Sequence, residues 1–99
     1  MSETYINAPL RRAIMARDEV CLYCLASTDL TIDHVIAEKW NGKTKANNLV
    51  VACGECNLIK ATFPFDLFAE FMERLGRGKK ADIIARVKAH LAIPTIPSE

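Results

Sequence analysis

The sequence predicts an α+β fold in which a short antiparallel hairpin is held between two cysteine pairs and flanked by helices on both sides. Three observations predict it. Cys21/Cys24 and Cys53/Cys56 repeat one Cys-x-x-Cys spacing at the two ends of a single segment. Inside that segment lie two apolar runs of strand length, the β-branched Thr31 to Ile36 and the shorter Leu49 to Ala52, with Asn41-Gly42 as a turn signal between them. Before and after it, apolar residues recur at helical spacing.

The elements follow in order. Pro9 suits the first turn of a helix, where its missing N–H costs no hydrogen bond, and Leu10, Ala13 and Ile14 share a face of a helix reaching about Arg17. The first cysteine pair comes next, then the hairpin with its long loop. Cys53 to about Thr62 is expected to pass from the second cysteine turn into a helix, with Asn57 and Lys60 neighbours on one helical face. Beyond Pro64, a stripe of Phe65, Phe68, Phe71 or Met72, and Leu75 marks a helix ended by Gly76 and Gly78. Lys79 to Ala92 repeats the pattern with Ile83, Ile84, Val87 and Leu91, and Pro94 prevents its continuation.

Four thiols in two short turns can converge on one tetrahedral zinc, with each sulfur about 2.3 Å from the ion. Disulfides or a redox dithiol are the competing readings. They fit less well, because the N-terminal residues do not read as a basic-then-apolar leader and thioredoxin-like motifs come singly beside a βαβ pattern. A chain of 99 residues builds only a small core, so a structural metal would stand in for buried surface it cannot supply. The sequence holds no apolar run of the roughly 18 residues that span a bilayer, so a soluble, cytoplasmic protein with no membrane partner is expected.

The formal net charge is only +1, which argues against a general polyanion binder, yet the charge is unevenly spread. Residues 18 to 38 carry five acids and no base, while residues 39 to 60 are net +3 and residues 74 to 99 net +4. Any nucleic-acid surface belongs on the two basic segments. The segment between the cysteine pairs also exceeds the roughly 15 to 20 residues of a minimal zinc ribbon, leaving room for chemistry of its own.

That segment carries Asp33-His34, then Asn47-Asn48, and Asn57 directly follows the last cysteine. The pieces "CLYC", "IDHVIAEKWNGKTKANNLVVACGEC" and "CNLIK", from about Cys21 to Lys60, resemble the HNH (ββα-metal) endonuclease family. The resemblance implies a ββα-metal core stapled by a four-cysteine zinc site, with an N-terminal helix and C-terminal helices around it. It also implies residue roles: His34 as general base, Asn48 as its orienter, and Asp33 with Asn57 as ligands of a catalytic metal. The pattern is thus H-N-N. Ala37 stands where many members have proline, and a single Gly42 replaces a frequent Gly-Gly. One domain over residues 1 to 99 is expected, with its motif core at about 21 to 62 and a helical extension at about 64 to 93.

The chemistry also stands on the residue types. Hydrolysis of a phosphodiester needs a base for water, a cation for the phosphate and leaving oxygen, and in-line positioning. Neutral imidazole can accept the proton at physiological pH if its other nitrogen is held by an acceptor, for which a backbone carbonyl on a loop fixed by Asn48 is expected. One carboxylate and one amide oxygen form a hard ligand set suited to Mg²⁺ or Mn²⁺, with Zn²⁺ poor at that position. Neighbouring strand residues point to opposite faces, so Asp33 and His34 can share a cleft only where the strand ends, twists or bulges.

Lys39, Lys43, Lys45 and Lys60 flank this cleft as candidate phosphate contacts. Trp40 is expected in the core rather than stacked on a base. His90 has no assigned role. The resulting expectation is a bacterial or phage HNH endonuclease that cuts DNA, most simply double-stranded, to 5′-phosphate and 3′-hydroxyl ends, a polarity implied by the resemblance. Specificity would come from a partner protein or a homodimer formed through the C-terminal helices. Two readings compete with it: a non-catalytic zinc-stabilised module binding nucleic acid or protein, indifferent to His34, and a redox dithiol protein.

Overall fold

Asn7 begins the first helix by accepting the Leu10 N–H on its side-chain oxygen at 2.9 Å, and Pro9 occupies the first turn as expected. The computed structural model describes residues 5–95. Helix α1 spans Ala8–Asp18, strand β1 Leu30–His34, strand β2 Leu49–Cys53, and helices α2, α3 and α4 span Gly54–Lys60, Phe65–Arg74 and Lys80–Leu91. Two short 3-10 turns, Glu38–Trp40 and Ala46–Asn48, lie in the loop between the strands.

The strands pair antiparallel without a bulge, running from Leu30 opposite Cys53 to His34 opposite Leu49. β1 therefore stops earlier than the run to Ile36 suggests. The loop closes tightly behind it. A Cβ on Gly42 would stand 1.7 Å from the Ile36 carbonyl oxygen, so no larger residue fits there without a shift. Asn41 takes the left-handed conformation beside it, with φ 68°.

Every residue of β2 is buried, because both faces of this two-stranded sheet are covered. Val50 and Ala52 join Tyr23, Phe68, Met72, Ile83 and Val87 in one cluster. Leu49 and Val51 join Ile14 and Ile32 in a second cluster beneath α1. The alternation is that of a strand with a core on either side. In α3 the buried face is Phe68, Ala69 and Met72. Leu75, expected on that stripe, is exposed at the C-cap, and Phe71 instead meets Phe63 edge-to-face at 5.6 Å.

The C-terminal helices are tied to the hairpin by polar contacts as well. Arg86 donates to the Leu22 carbonyl at 2.7 Å, and Arg77 pairs with Glu55 of α2 at 2.6 Å. This contact draws the Glu55 carboxyl below its ordinary range and raises Arg77. The architecture is α+β, and β1, β2 and α2 form a ββα unit. No helix among the described residues is long and apolar enough to cross a membrane.

Candidate active site and zinc centre

The two cysteine turns meet. The sulfurs of Cys21, Cys24, Cys53 and Cys56 lie within 4.8 Å of one another, none is in a disulfide, and Cys24 and Cys53 approach to 3.6 Å. Sulfurs at the corners of a tetrahedron around zinc stand about 3.8 Å apart, so the donor set fits that ion in number, type and spacing. Each turn is built locally. In the first, the Leu25 N–H bonds back to the Cys21 carbonyl at 2.7 Å; in the second, Cys53 caps α2 by accepting the Cys56 N–H on its sulfur at 3.4 Å. A hydrogen bond from Cys56 is the main cause lowering the Cys21 thiol to about 5, while Cys56 is raised in return. Burial raises Cys24.

His34 is the last residue of β1, and there the strand's end lets Asp33 and His34 share one cleft. Both line a pocket of about 330 Å³ together with Ala37, Glu38, Lys39, Ala61 and Thr62. His34 is half-buried, and its Nε2 lies 2.9 Å from the Thr44 hydroxyl. A side-chain hydroxyl, rather than the expected backbone carbonyl, therefore holds the ring. The sequence carried no signal for this, because a threonine in a polar loop is ordinary.

Asn48 is buried and holds the loop at three points. Its oxygen accepts the Ile36 N–H at 2.8 Å, and its amide donates to the Ile36 carbonyl at 2.9 Å and the Lys43 carbonyl at 2.8 Å. The last bond fixes the residue just before Thr44. Asn48 thus reaches His34 indirectly, through the loop.

Asp33 is buried. Its Oδ2 accepts from the Tyr23 hydroxyl at 2.7 Å and pairs with the Lys60 ammonium at 3.1 Å. Burial, and then the Asp33 charge, raise Tyr23 well above the usual phenol value, so it stays a protonated donor. Among the described residues no hydrogen bond reaches Asp33 Oδ1.

Lys60 requires a correction. Its expected place is the surface, as a phosphate contact, yet it is fully buried, and its ammonium also donates to the His34 carbonyl at 2.8 Å. The helix face shared with Asn57 turns inward at Lys60, where a buried carboxylate stabilises the charge. Lys39, Lys43 and Lys45 are not buried, and Lys39 stands in the pocket wall. Asn57 is half-buried on α2 and is not among the residues lining that pocket. Trp40 corrects a second expectation: it is 55% exposed, with its indole N–H on the Thr62 carbonyl and the Lys39 ammonium 5.6 Å from its ring.

His90 also has a partner. It lies 3.1 Å from the carboxylate of Asp18, which is buried, pairs with Arg17 at 2.6 Å and accepts the Val51 N–H at 2.9 Å. Arg17 further donates to the Ala46 and Leu49 carbonyls. This cluster ties α1, β2, α4 and the end of the loop together, away from the pocket.

Residues 21–63 match the family model described as HNH endonuclease. No curated protein and no solved structure matches the chain. The matched segment contains the cysteine cluster, the hairpin and α2, and it points to nuclease-type chemistry on a nucleic-acid substrate. α1, α3 and α4 lie outside it.

Proposed function

We propose that the chain is a metal-dependent HNH endonuclease that hydrolyses DNA phosphodiester bonds. The observation that carries this reading is the arrangement at the end of β1, where His34 is held through Nε2 by Thr44 while Asp33 shares the same pocket. In the tautomer that donates Nε2–H to the Thr44 hydroxyl, Nδ1 keeps its lone pair and can accept the proton of the attacking water. Asn48 keeps the loop, and so the imidazole, in that orientation.

Asp33 through Oδ1 and Asn57 through its amide oxygen would hold Mg²⁺ or Mn²⁺. Such an ion, when bound, polarises the scissile phosphate and stabilises the leaving oxygen. Lys39, Lys43 and Lys45 offer charge to the DNA backbone, with Lys39 closest to the chemistry. Trp40, open to solvent beside Lys39, is a further surface for a base or sugar.

The zinc centre is structural in this reading, and residues 1 to 99 act as one catalytic unit in the cytoplasm. One ββα site cuts one strand, so double-strand cleavage requires a second copy or a second nick. A partner protein or a homodimer formed through α3 and α4 would supply specificity.

Nicking of supercoiled plasmid by wild type and His34→Ala, with Mg²⁺, Mn²⁺, Zn²⁺ or chelator, tests the reading. Wild type is expected to nick with Mg²⁺ and Mn²⁺, poorly with Zn²⁺, and His34→Ala to lose about 10²-fold or more. Equal nicking by both proteins overturns the assignment. A second reading, a non-catalytic zinc module, has one observation in its favour: Lys60 already neutralises Asp33, and Asn57 stands outside the pocket wall. That reading expects DNA binding without nicking, indifferent to His34→Ala.

A further inference from the structure

We propose that Lys60 is a positioning residue for the reaction, anchoring both Asp33 and His34 and confining Asp33 to cation binding through Oδ1 alone. The inference rests on the nuclease reading above and deepens it. Lys60 ends α2, and its fully buried side chain passes behind the end of β1. There its ammonium divides its donors between the Asp33 Oδ2 at 3.1 Å and the His34 carbonyl at 2.8 Å.

An ammonium has three donors and no acceptor, so these two partners account for most of its hydrogen-bonding capacity. The contacts fall on consecutive residues of one strand, one through a side chain and one through the backbone. Lys60 therefore sets the distance between the carboxylate and the peptide that carries the imidazole. Tyr23, donating to the same Oδ2 at 2.7 Å, completes the anchor and leaves Oδ1 as the oxygen with no hydrogen bond from the described residues.

The arrangement has an electrostatic consequence. A carboxylate already paired with a buried ammonium attracts a divalent cation less than a free one does. Lys60 thus weakens cation binding to the free protein while holding the geometry that turnover requires. The two effects have opposite signs in a neutral variant, which should gain cation affinity and lose rate.

The test compares wild type, Lys60→Met and Lys60→Gln after zinc content and circular dichroism show that each is folded. Mn²⁺ affinity is measured by calorimetry, and kcat and KM by plasmid nicking. Both neutral variants are expected to bind Mn²⁺ about tenfold more tightly. Their kcat should fall about 10- to 100-fold with KM for DNA little changed. Lys60→Gln should keep more activity than Lys60→Met, because its amide can still donate to the His34 carbonyl.

Wild-type Mn²⁺ affinity and kcat in either variant overturn the proposal while leaving the nuclease reading intact. A wild type that neither binds Mn²⁺ nor nicks overturns that reading, and the role of Lys60 with it. If neither variant folds, spectra of wild type carrying ¹³Cε-labelled lysine decide. Broadening of Lys60 by substoichiometric Mn²⁺ ahead of Lys39, Lys43 and Lys45 supports the proposal, and an unbroadened Lys60 overturns it.

Discussion

At the scale of single residues, the site depends on side chains whose hydrogen-bonding capacity is almost fully used. Asn48 commits its oxygen and both amide hydrogens to Ile36 and Lys43. Asn48→Ala leaves one N–H and two carbonyls without their partner, and it should lower unfolding free energy by about 3 kcal/mol in urea titrations. Nicking should fall as well, because the loop that holds Thr44 against His34 is released. Asn48→Asp should be no milder, since a carboxylate offers oxygen to two carbonyls that need a donor. The sequence singles out Asp33, His34 and Asn48, and the hairpin brings all three to one end. It misplaces Lys60 and Trp40, because residue type alone does not say which side of a helix or loop faces the core. A buried lysine requires a carboxylate at the right place, and that place lies on another element.

At the scale of elements, the ββα unit is held from one end by the cysteine cluster and from the other by the Asn48 loop. Zinc removal should destabilise the hairpin and α2, because the cysteine turns at both ends of the unit converge on that one site. Acid should do the same. The Cys21 thiol is lowered to about 5 in the fold, chiefly by a hydrogen bond from Cys56. A group whose pKa is depressed on folding contributes stability above its unfolded value and loses it as pH falls through the folded value. Cys56 and Cys24 are raised in the metal-free fold, so zinc must displace their protons when it binds. In the metal-free fold the Cys21 contribution is therefore lost as pH falls towards about 5, and zinc, held by thiolates, is released as protons compete for them. Far-ultraviolet dichroism together with a colorimetric zinc assay as pH is lowered checks this, and a bound zinc indifferent to pH 5 would refute it. The helix boundaries were legible to within a residue or two, because Pro9, Gly76 and Pro94 act through local backbone geometry. The end of β1 was not, since β-branched residues continue past His34 and it is the Asn48 side chain that takes up the N–H and carbonyl of Ile36 there.

At the scale of the whole molecule, α1, α3 and α4 enclose the hairpin on both faces, and α1 and α4 are coupled to β2 through Asp18. This carboxylate binds Arg17, the Val51 N–H and His90, and so joins three elements distant in sequence. Asp18→Ala leaves the Arg17 guanidinium buried without a counter-charge. It should cost about 3 to 5 kcal/mol, whereas His90→Ala, whose partner keeps its other bonds, should cost about 1 kcal/mol. Urea denaturation of both variants measures the difference, and equal losses would show that Asp18 acts mainly through His90. Because this cluster stands apart from the pocket, His90→Ala should nick plasmid like wild type.

What the sequence determined by itself was local or spacing-dependent: two cysteine turns able to share an ion, a hairpin between them, helices around it, and an Asp-His pair in the first strand run. These follow from short-range rules of turn, strand and helix, which need no knowledge of distant neighbours. Tertiary structure alone decided which groups face one another. It placed Thr44 on His34, Tyr23 and Lys60 on Asp33, and His90 on Asp18, because each pairing joins residues separated by turns whose path no local rule specifies. The same physics explains the misplaced lysine: a charge is driven to solvent unless a buried partner awaits it, and that partner becomes visible only once the chain has folded around it.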